Sequence, residues 1–484
     1  MKINKPKVVD LILIGTGLAG LNFIDKYLEK KKIIHVISPN IKNYLDKKNK
    51  KVSPIPSQMK GEDLFVENYF VSNNLIAEPS CKILGALNEG GLSNYWGLQL
   101  DNYLNQDQQS LKKKTFKSIE NSFIEFLKKY NLLGSYKVKG KTVYENNYKI
   151  PNFLRKLIDI KDVNFKCKKP ILAFSLKKIK DYNLNNLNEE KTKLIAKNFF
   201  KKIKEKNRII FHDCYVDKII NNKKNLEIVC KNKKNEKNSL YADKLVFAAG
   251  TIATTKIIMD YLNIKNEVKI KHHPRLLSVF LSKKSIKSKL KFTPSLIQII
   301  NNYKRDYFTA DLRPGNKLIT ESIPEAFPFM KPFKFFINLI RHRLLFSNIL
   351  LDSSFSNIFM KKDKKLFKLY NKNRNIEKNL AERNKKIFKF LKTNKIILPF
   401  FKTFFPGIGA DYHYFGSIPF NNKGKLAVND NCQLRSKKNI YIVDGSVFDF
   451  KTNNYPLGLI IANARRIGKL LSKWAILEFI FISK

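Results

Sequence analysis

"VVDLILIGTGLAGLNFIDKYLEKKKIIHVISPN", residues 8–40, is the stretch that decides the fold. Its first part, residues 8–15, is a continuous run rich in Val and Ile, which is typical of a strand buried on both faces of a parallel sheet. "TGLAGLNFIDKYLEKK" then carries apolar residues at helical spacing, and residues 31–40 predict a second strand. Because parallel strands need such a crossover, the stretch predicts one βαβ unit.

The turn of this unit carries glycines at the spacing G-x-G-x-x-G. Gly15 permits the tight turn, Gly17 lets the backbone approach a pyrophosphate, and Gly20 lets the helix pack on the strand. Leu18 and Ala19 open the helix, whose N-terminal N–H groups and partial positive charge favour a bound phosphate. The pattern predicts a dinucleotide site, and a glycine-rich turn without a ligand is the alternative.

The second strand ends in an unusual residue for such a site. An acidic side chain normally closes this strand and binds the ribose hydroxyls, whereas "IIHVISPN" offers Ser38. We expect the Ser38 hydroxyl to bind the ribose more weakly than a carboxylate would.

A second glycine-rich segment, "EGGLSNYWG" (residues 89–97), predicts close contact with a large flat cofactor. Gly90 and Gly91 leave the backbone bare, and Ser93 and Asn94 add only short polar side chains. The two aromatic residues that follow favour burial over the alternative, a surface turn.

Composition narrows the class of protein. A chain of 484 residues with 43% apolar residues predicts a real core and two domains. The net charge of +53 would ordinarily suggest a nucleic acid or an anionic membrane, but most of the excess is Lys scattered along the whole chain. We therefore predict no nucleic-acid partner. The five separated cysteines indicate free thiols in a reducing compartment and no metal site.

Six motifs together resemble those of a known family. In chain order they are "GTGLAG", "GGLSNYWG", "LVFAAGTIATTKII", "HHPR", "DYHYFGSIPF" and "IYIVDGSVF…NNYPLGLIIANARRIGKLL". By these motifs the chain resembles the glucose–methanol–choline (GMC) family of FAD-dependent oxidoreductases. The bacterial members similar to cholesterol oxidase and to sugar or polyol dehydrogenases resemble it most. No motif of the set falls in residues 280–400.

The resemblance implies an α/β fold. A Rossmann-like FAD-binding domain would be built from both chain ends, with an inserted α+β substrate or cap domain. Residues 1–110, 206–265 and 406–484 would form the FAD-binding domain. Residues 111–205 would be a helical insertion that belongs to the cap, and residues 266–405 would form the rest of the substrate domain.

The resemblance also implies which residues hold FAD. The first glycine motif would bind the pyrophosphate, and the second would lie along the flavin. Val216 would meet the adenine through its backbone, and Asp444 would lie near the ribityl chain. The residues expected to contact FAD are Gly15, Gly17, Leu18, Ala19, Gly20, Ser38, Gly90, Gly91, Ser93, Asn94, Val216, Ala249, Gly250, Asp444, Gly445 and Pro456.

His413 occupies the family's position for the base, or hydrogen-bond partner, at the substrate hydroxyl. Oxidation of an alcohol requires the hydroxyl proton to leave as hydride goes to flavin N5, and a neutral imidazole can accept that proton. The alternative is a core histidine whose ring is satisfied by a backbone carbonyl.

A second polar group would hold the developing alkoxide. The family places a His or Asn beside the proline of the last loop. Ungapped counting from the Asp-Gly-Ser element puts Tyr455 at that position, directly after Asn453 and Asn454. We predict Asn454 as the partner, with Asn453 and Tyr455 as the alternatives.

Two other features have less specific interpretations. His272 and His273 alternate faces on a strand and have no acid or thiol near them in sequence, which favours a structural or flavin-adjacent role over metal binding. Residues 328–351 mix aromatic residues with Lys and Arg, as interfacial helices do. Their alternative is the apolar face of the cap over the active site.

We therefore expect an FAD-dependent oxidoreductase that oxidises the CH–OH group of a sugar, polyol or other alcohol. Oxygen, a quinone or a protein carrier would reoxidise the flavin. One alternative is a flavoprotein with non-oxidase chemistry, namely desaturation, reduction or redox-neutral rearrangement. The other is a catalytically silent, basic surface-binding protein. The expected location is cytoplasmic, and weak peripheral contact with an anionic inner membrane surface is a further expectation.

Overall fold

The computed structural model describes most of the chain between residues 8 and 482. The described residues are 8–30, 32–39, 69–94, 96–100, 111–176, 182–204, 207–222, 224–232, 234–287, 294–301, 306–316, 320, 323–324, 328–372, 375–420, 423–450 and 455–482. The fold below concerns these residues.

The helices are numbered α1 to α9 in chain order. They are Leu18–Tyr27, Lys113–Tyr130, Asn152–Asp159, Glu189–Thr192, Ala196–Lys204, Thr251–Tyr261, Lys334–Ile340, Ile376–Thr393 and Leu457–Ile482. Within the described residues, none of the helices combines the length and the apolar character needed to cross a bilayer.

The strands are numbered β1 to β23 in the same way. They are Val8–Ile14, Ile34–Ile37, Leu75–Ala77, Gln99–Leu100, Leu132–Val138, Lys141–Asn146, Tyr148–Lys149, Phe165–Lys168, Ile171–Ser175, Tyr182–Asn183, Ile209–His212, Tyr215–Asn221, Leu226–Lys231, Lys237–Phe247, Val268–Ile270, Arg275–Ser282, Ile297–Asn301, Phe308–Pro314, Leu344–Leu351, Ile358–Asp363, Leu366–Asn371, Ile397–Phe404 and Ile440–Ile442.

The apolar first strand lies inside a sheet of order β11-β2-β1-β14-β13-β12, and β23 also pairs with β14. β1 is parallel to both of its neighbours, β2 and β14, which confirms the predicted βαβ unit. The two parts of the long strand β14 have different neighbours. Its first residues, 237–242, are antiparallel to β13, whereas residues 245–247 lie between β1 and β23 in parallel.

Both ends of the chain build this domain. β23 comes from the C-terminal part, and α9 packs along α1. The two helices approach so closely that a Cβ added at Gly468 would lie 2.5 Å from the carbonyl oxygen of Phe23. The prediction that both ends of the chain build one Rossmann-like domain is therefore confirmed.

A buried carboxylate connects three helices of this domain. Asp25 in α1 pairs with Arg465 in α9 (Oδ2 to Nη1, 2.8 Å) and with Lys129 in α2 (Oδ2 to Nζ, 2.6 Å). Burial raises the pKa of Asp25, but the two cations outweigh it and hold that pKa at about 2. Helix α2 therefore packs against the nucleotide-binding domain. The predicted boundary at residue 205 stays a prediction.

The inserted part forms an antiparallel sheet of order β22-β16-β19-β18-β17-β8, against which α8 packs. A smaller sheet of order β15-β20-β21-β3, another of order β4-β9-β5-β6 and the parallel pair β10-β7 complete the described strands of this region. The predicted combination of an α/β nucleotide-binding domain and an inserted α+β domain is confirmed.

Candidate active site

The glycine turn after β1 has the geometry that its sequence predicts. Gly15 has a φ of +103°, and a Cβ there would lie 2.4 Å from the carbonyl oxygen of Ala248. At Gly20, a Cβ would lie 2.1 Å from the carbonyl oxygen of Gly15. These two positions therefore admit only glycine, and α1 begins directly after the turn.

The second glycine-rich segment lies against this turn. Its glycine pair has φ angles of +81° and +48°. The backbone N–H of Gly90 donates to Oγ1 of Thr16 (3.2 Å), and that of Leu18 donates to Oγ of Ser93 (3.0 Å). Between them, Gly17 would place a Cβ 3.4 Å from Oγ of Ser93. Ser93 therefore lies at the start of α1, where it fixes the two turns together.

Two of the predicted cofactor residues have protein partners. Ser38 is buried and shares a hydrogen bond with the hydroxyl of Thr16 (2.7 Å). Asn94 donates from Nδ2 to the carbonyl oxygen of Glu89 (2.8 Å), and its Oδ1 accepts from the backbone N–H of Lys197 (3.0 Å). Both side chains hold the glycine turns in place. Their contacts with a cofactor stay predictions.

Asp444 joins the two strand–helix connections of the C-terminal half. Its Oδ2 accepts hydrogen bonds from the backbone N–H of Gly250 (3.0 Å) and from the hydroxyl of Thr254 in the first turn of α6. Its Oδ1 accepts from the backbone N–H (3.0 Å) and the hydroxyl (2.6 Å) of Ser446. Burial is the largest influence on the carboxyl and raises its pKa. Because both oxygens are occupied, Asp444 positions the loops through its side chain.

Gly250 and Gly445 have opposite surroundings. Gly445 is packed, since a Cβ there would lie 2.7 Å both from Oγ1 of Thr251 and from the carbonyl oxygen of Tyr414. Gly250 is exposed with a φ of +86°, and a Cβ there would meet no heavy atom within 4 Å. Gly250 therefore presents bare backbone to open space, and the half-buried Ala249 precedes it.

These segments fit a dinucleotide cofactor such as FAD. The glycine turn follows β1, Gly250 follows β14 and Asp444 follows β23, so all three lie at the carboxyl ends of parallel strands. Open α/β sheets bind nucleotides at this edge, and helix starts there favour phosphate. Val216 is buried in β12 and Pro456 directly precedes α9, and their contacts with a cofactor stay predictions.

His413 lies between the two sets of loops. Its neighbour Tyr412 packs against Leu84, as does Leu92 of the second glycine-rich segment. On the other side of His413, the carbonyl oxygen of Tyr414 accepts a hydrogen bond from the Thr251 hydroxyl at the start of α6 (2.6 Å). The chain at His413 therefore contacts both halves of the candidate cofactor cradle.

The imidazole of His413 is half-buried beside two other rings. Its centroid lies 5.1 Å from the Tyr455 ring and 5.8 Å from the His273 ring, both in edge-to-face geometry. Its Nδ1 is buried and has no hydrogen-bond partner among the described residues. If His413 were only a core histidine, a backbone carbonyl should satisfy its ring. The described residues supply no such carbonyl at Nδ1.

The surroundings of His413 keep its imidazole neutral. Burial is the largest influence and lowers the pKa, whereas Asp411 opposes it. The positive charges of Arg275, His272 and Arg313 lower the pKa further, to about 4. At physiological pH the ring is therefore a neutral base with an unused buried nitrogen.

Tyr455, one of the two alternatives to Asn454, lies beside His413 in the structure. Its hydroxyl donates to Oδ2 of Asp311 (2.8 Å) and accepts from Nη2 of Arg313 (3.4 Å). Asp311 also accepts from Nε of Arg313 (2.8 Å) and from the backbone N–H of Asn348 (2.7 Å). The Tyr455 hydroxyl is thus held by an ion pair on β18.

The other two candidates for that role, Asn453 and Asn454, lie outside the described residues. The prediction of Asn454 therefore stays a prediction.

Sequence reasoning missed three charged groups around His413 and Tyr455. Asp311 and Arg313 are two residues apart in the mostly apolar strand β18, a spacing that directs both side chains to one face. This spacing is the sequence signal that could have indicated a charged pair on one face of the strand. Arg275 is the last residue of the "HHPR" motif. Its guanidinium lies over the Tyr412 ring (5.3 Å), and its buried Nε has no hydrogen-bond partner among the described residues.

Both adjacent histidines contact the buried carboxylate of Asp411. Nδ1 of His272 lies 2.8 Å from Oδ1 of Asp411, and Oδ2 of Asp411 accepts from the backbone N–H of His273 (3.1 Å). Burial raises the pKa of Asp411, but the His272 charge outweighs it and brings that pKa to about 2. Among the described residues, no group of three or more His, Cys, Asp or Glu side chains could hold a metal ion.

Comparisons with known proteins add evidence on the fold. No family model matches the chain, and no curated protein matches it in sequence. Among solved structures, pyridoxine 4-oxidase from Mesorbium loti is similar, with a TM-score of 0.58 and 11% sequence identity. The match covers 96% of this chain and 99% of that one. It supports a GMC-type fold over nearly the whole chain, without indicating which member is most similar.

Proposed function

We propose that this chain is an FAD-dependent oxidoreductase that oxidises the CH–OH group of an alcohol, with a sugar or polyol as the expected substrate class. The observation that carries the proposal is the neutral imidazole of His413, held between two glycine-lined loops with the Tyr455 hydroxyl system beside it. The structural similarity to pyridoxine 4-oxidase supports the same general chemistry.

The two chain ends would hold the cofactor. The remaining N–H groups in the first turn of α1 would bind its phosphates, and the bare backbone at Gly17 and Gly250 would leave room for its length. Bound FAD supplies the hydride acceptor for the substrate carbon. Ser93 and Asp444 would act through the protein, because each fixes a loop that faces the cofactor.

His413 would accept the proton of the substrate hydroxyl. Its pKa of about 4 keeps the ring unprotonated at neutral pH, so the imidazole is ready to receive a proton when an alcohol binds. General-base catalysis of this kind contributes a factor of about 10² to 10⁴ in rate.

Arg313 would stabilise the substrate oxygen as it gains negative charge, and Tyr455 would position the Arg313 guanidinium. The Tyr455 hydroxyl is fixed by Asp311, and the Arg313 guanidinium lies within hydrogen-bond distance of that hydroxyl. A cation held in place before reaction favours a developing alkoxide. The ion pair with Asp311 keeps both groups in position.

The experiment is anaerobic reduction of the bound flavin. Purified chain loaded with FAD is mixed with sugars, polyols and simple alcohols, and the flavin absorbance at about 450 nm is followed. We expect bleaching with at least one alcohol, and a rate about 10² to 10⁴ times lower for His413→Ala. His342→Ala, a histidine in the turn Arg341–Arg343, is the matched control and should react as the unaltered chain does.

Two outcomes would contradict the proposal. Bound FAD that no alcohol reduces would favour the alternative non-oxidase chemistry. Equal rates for His413→Ala and the unaltered chain would remove His413 from the mechanism.

A further inference from the structure

Besides Phe329 (66% exposed), five large apolar side chains stand exposed close together on one short segment. They belong to the end of the 3₁₀ turn Pro328–Phe333 and to α7, and only Ile337 of this helix is buried. We name them the aromatic patch: Phe333 (51% exposed), Phe335 (73%), Phe336 (60%), Leu339 (67%) and Ile340 (44%). A contiguous exposed set of this kind marks an interaction surface, since single exposed apolar residues are common but clusters are not.

The charges around the patch have one sign. Lys331 and Lys334 are exposed at its N-terminal side, and Arg341 and Arg343 follow at its C-terminal side. Residues 328–351 contain no Asp or Glu. Aromatic and aliphatic side chains ringed by Lys and Arg are the composition of helices that lie in the plane of an anionic lipid surface.

We propose that the aromatic patch docks on an anionic lipid surface, with the Phe and Leu side chains in the interface and the flanking cations on the lipid head groups. The patch and its basic rim match such a surface in both apolar character and charge. A second copy of this chain matches less well, because each copy carries a formal net charge of +53 and the same cations would face each other.

The aromatic patch is connected to the strand that carries part of the candidate active site. Its segment connects β18 to β19, and β18 carries the ion pair that holds Tyr455. The backbone N–H of Gly315, two residues beyond Arg313, donates to the carbonyl oxygen of Leu344, where β19 begins (2.8 Å). Docking would therefore bring the lipid surface to the same end of β18 as the candidate active site. The docking itself does not depend on the proposed enzymatic activity.

The test is sedimentation of the full chain with lipid vesicles. We expect binding to vesicles of phosphatidylglycerol and phosphatidylcholine, little binding to phosphatidylcholine alone, and weakening as salt is raised. The double variant Phe335→Ser/Phe336→Ser should weaken binding to the anionic vesicles at least tenfold. Phe400→Ser, which alters a residue of β22 that is 58% exposed, is the matched control and should bind as the unaltered chain does.

A second measurement reports insertion directly. Phe335→Trp should show a blue shift of its tryptophan fluorescence on addition of anionic vesicles, relative to the unaltered chain. Flavin content and reduction by a soluble alcohol should be the same in the patch variants as in the unaltered chain, which shows that they are folded.

Three results would overturn the proposal. The chain could stay in the supernatant with anionic vesicles. The double variant could bind them as tightly as Phe400→Ser, in which case scattered Lys charge alone is responsible. The chain could instead form dimers that the double variant abolishes, which would identify a second copy as the occupant.

Discussion

Asp25→Asn tests the buried contact that ties the two chain ends together. The substitution keeps the shape of the side chain and removes its charge. Lys129 is 37% exposed at its side chain and can turn to water, but the Arg465 side chain is fully buried and cannot. The variant therefore leaves a buried cation without its counter-ion.

Two separate arguments give similar values for the loss in free energy of unfolding caused by Asp25→Asn. The lowered pKa of Asp25, from 3.8 to about 2, corresponds to roughly 2 kcal/mol at about 1.4 kcal/mol per pKa unit. Breaking a buried ion pair by removing one partner costs about 3–5 kcal/mol. We expect Asp25→Asn to lower the free energy of unfolding by about 3 kcal/mol, which is a large part of the stability of a typical protein.

Guanidinium chloride denaturation followed by far-ultraviolet circular dichroism measures the effect. Asp10→Asn, at an exposed aspartate on β1, is the matched control and should change stability by less than about 0.5 kcal/mol. The double variant Asp25→Asn/Arg465→Met should recover part of the loss, because it also removes the buried cation.

The pH dependence has a fixed sign. Because the folded pKa of Asp25 is depressed, its contribution is complete above about pH 4 and disappears as the pH falls towards 2. The difference in stability between the unaltered chain and Asp25→Asn should therefore shrink over that range. A cost for Asp25→Asn no larger than that of Asp10→Asn would refute the reasoning.

The remaining predictions concern the candidate site. Tyr455→Phe keeps the ring against His413 but removes the hydroxyl, so stopped-flow flavin reduction should slow about 10²-fold, and an unchanged rate would exclude Tyr455 as the partner. Burial is the main reason that the pKa of His413 is lowered to about 4, and the positive charge of Arg275 lowers it further; Arg275→Gln removes that charge, so the acid limb of kcat/KM against pH should move to higher pH, and a limb at the same pH would contradict this. Gly17→Val should weaken FAD binding at least tenfold in a titration yet leave a folded protein, whereas Gly20→Val should prevent folding, because a Cβ at Gly20 would lie 2.1 Å from a carbonyl oxygen; equal effects of the two changes on folding would contradict it.

The nucleotide-binding domain could be predicted because its signals are local. A buried apolar strand, a glycine turn and an amphipathic helix are adjacent in residues 8–40, and each glycine has its own steric reason. The resemblance predicted that the C-terminal part joins this domain, but not the pairing of β23 with β14, since a three-residue strand carries little periodicity.

The candidate site was harder to predict because its contacts are distant in sequence. Tyr455 meets Asp311 across 144 residues, and no local pattern links them. Ungapped counting puts Tyr455 at the family's position in the last loop, whereas residue type favours Asn454. The hydrogen bond between Ser38 and Thr16 was also missed, because a buried hydroxyl pair leaves no sequence signature.

Residues 328–351 show where composition alone was insufficient. The alternative, an apolar face of the cap over the active site, predicts burial of the aromatic side chains. The five residues of the aromatic patch are instead 44–73% exposed. Composition does not decide between these arrangements, because a short helix with aromatic residues on most sides can bury either face.

The most direct measurement is the amount of flavin that the purified chain retains. The protein is incubated with excess FAD, desalted and denatured, and the released flavin is compared with the protein concentration. If the two chain ends form one dinucleotide cradle, we expect about one FAD per chain, with a large loss in Gly17→Val. A colourless protein that releases no flavin after this treatment would contradict the assignment.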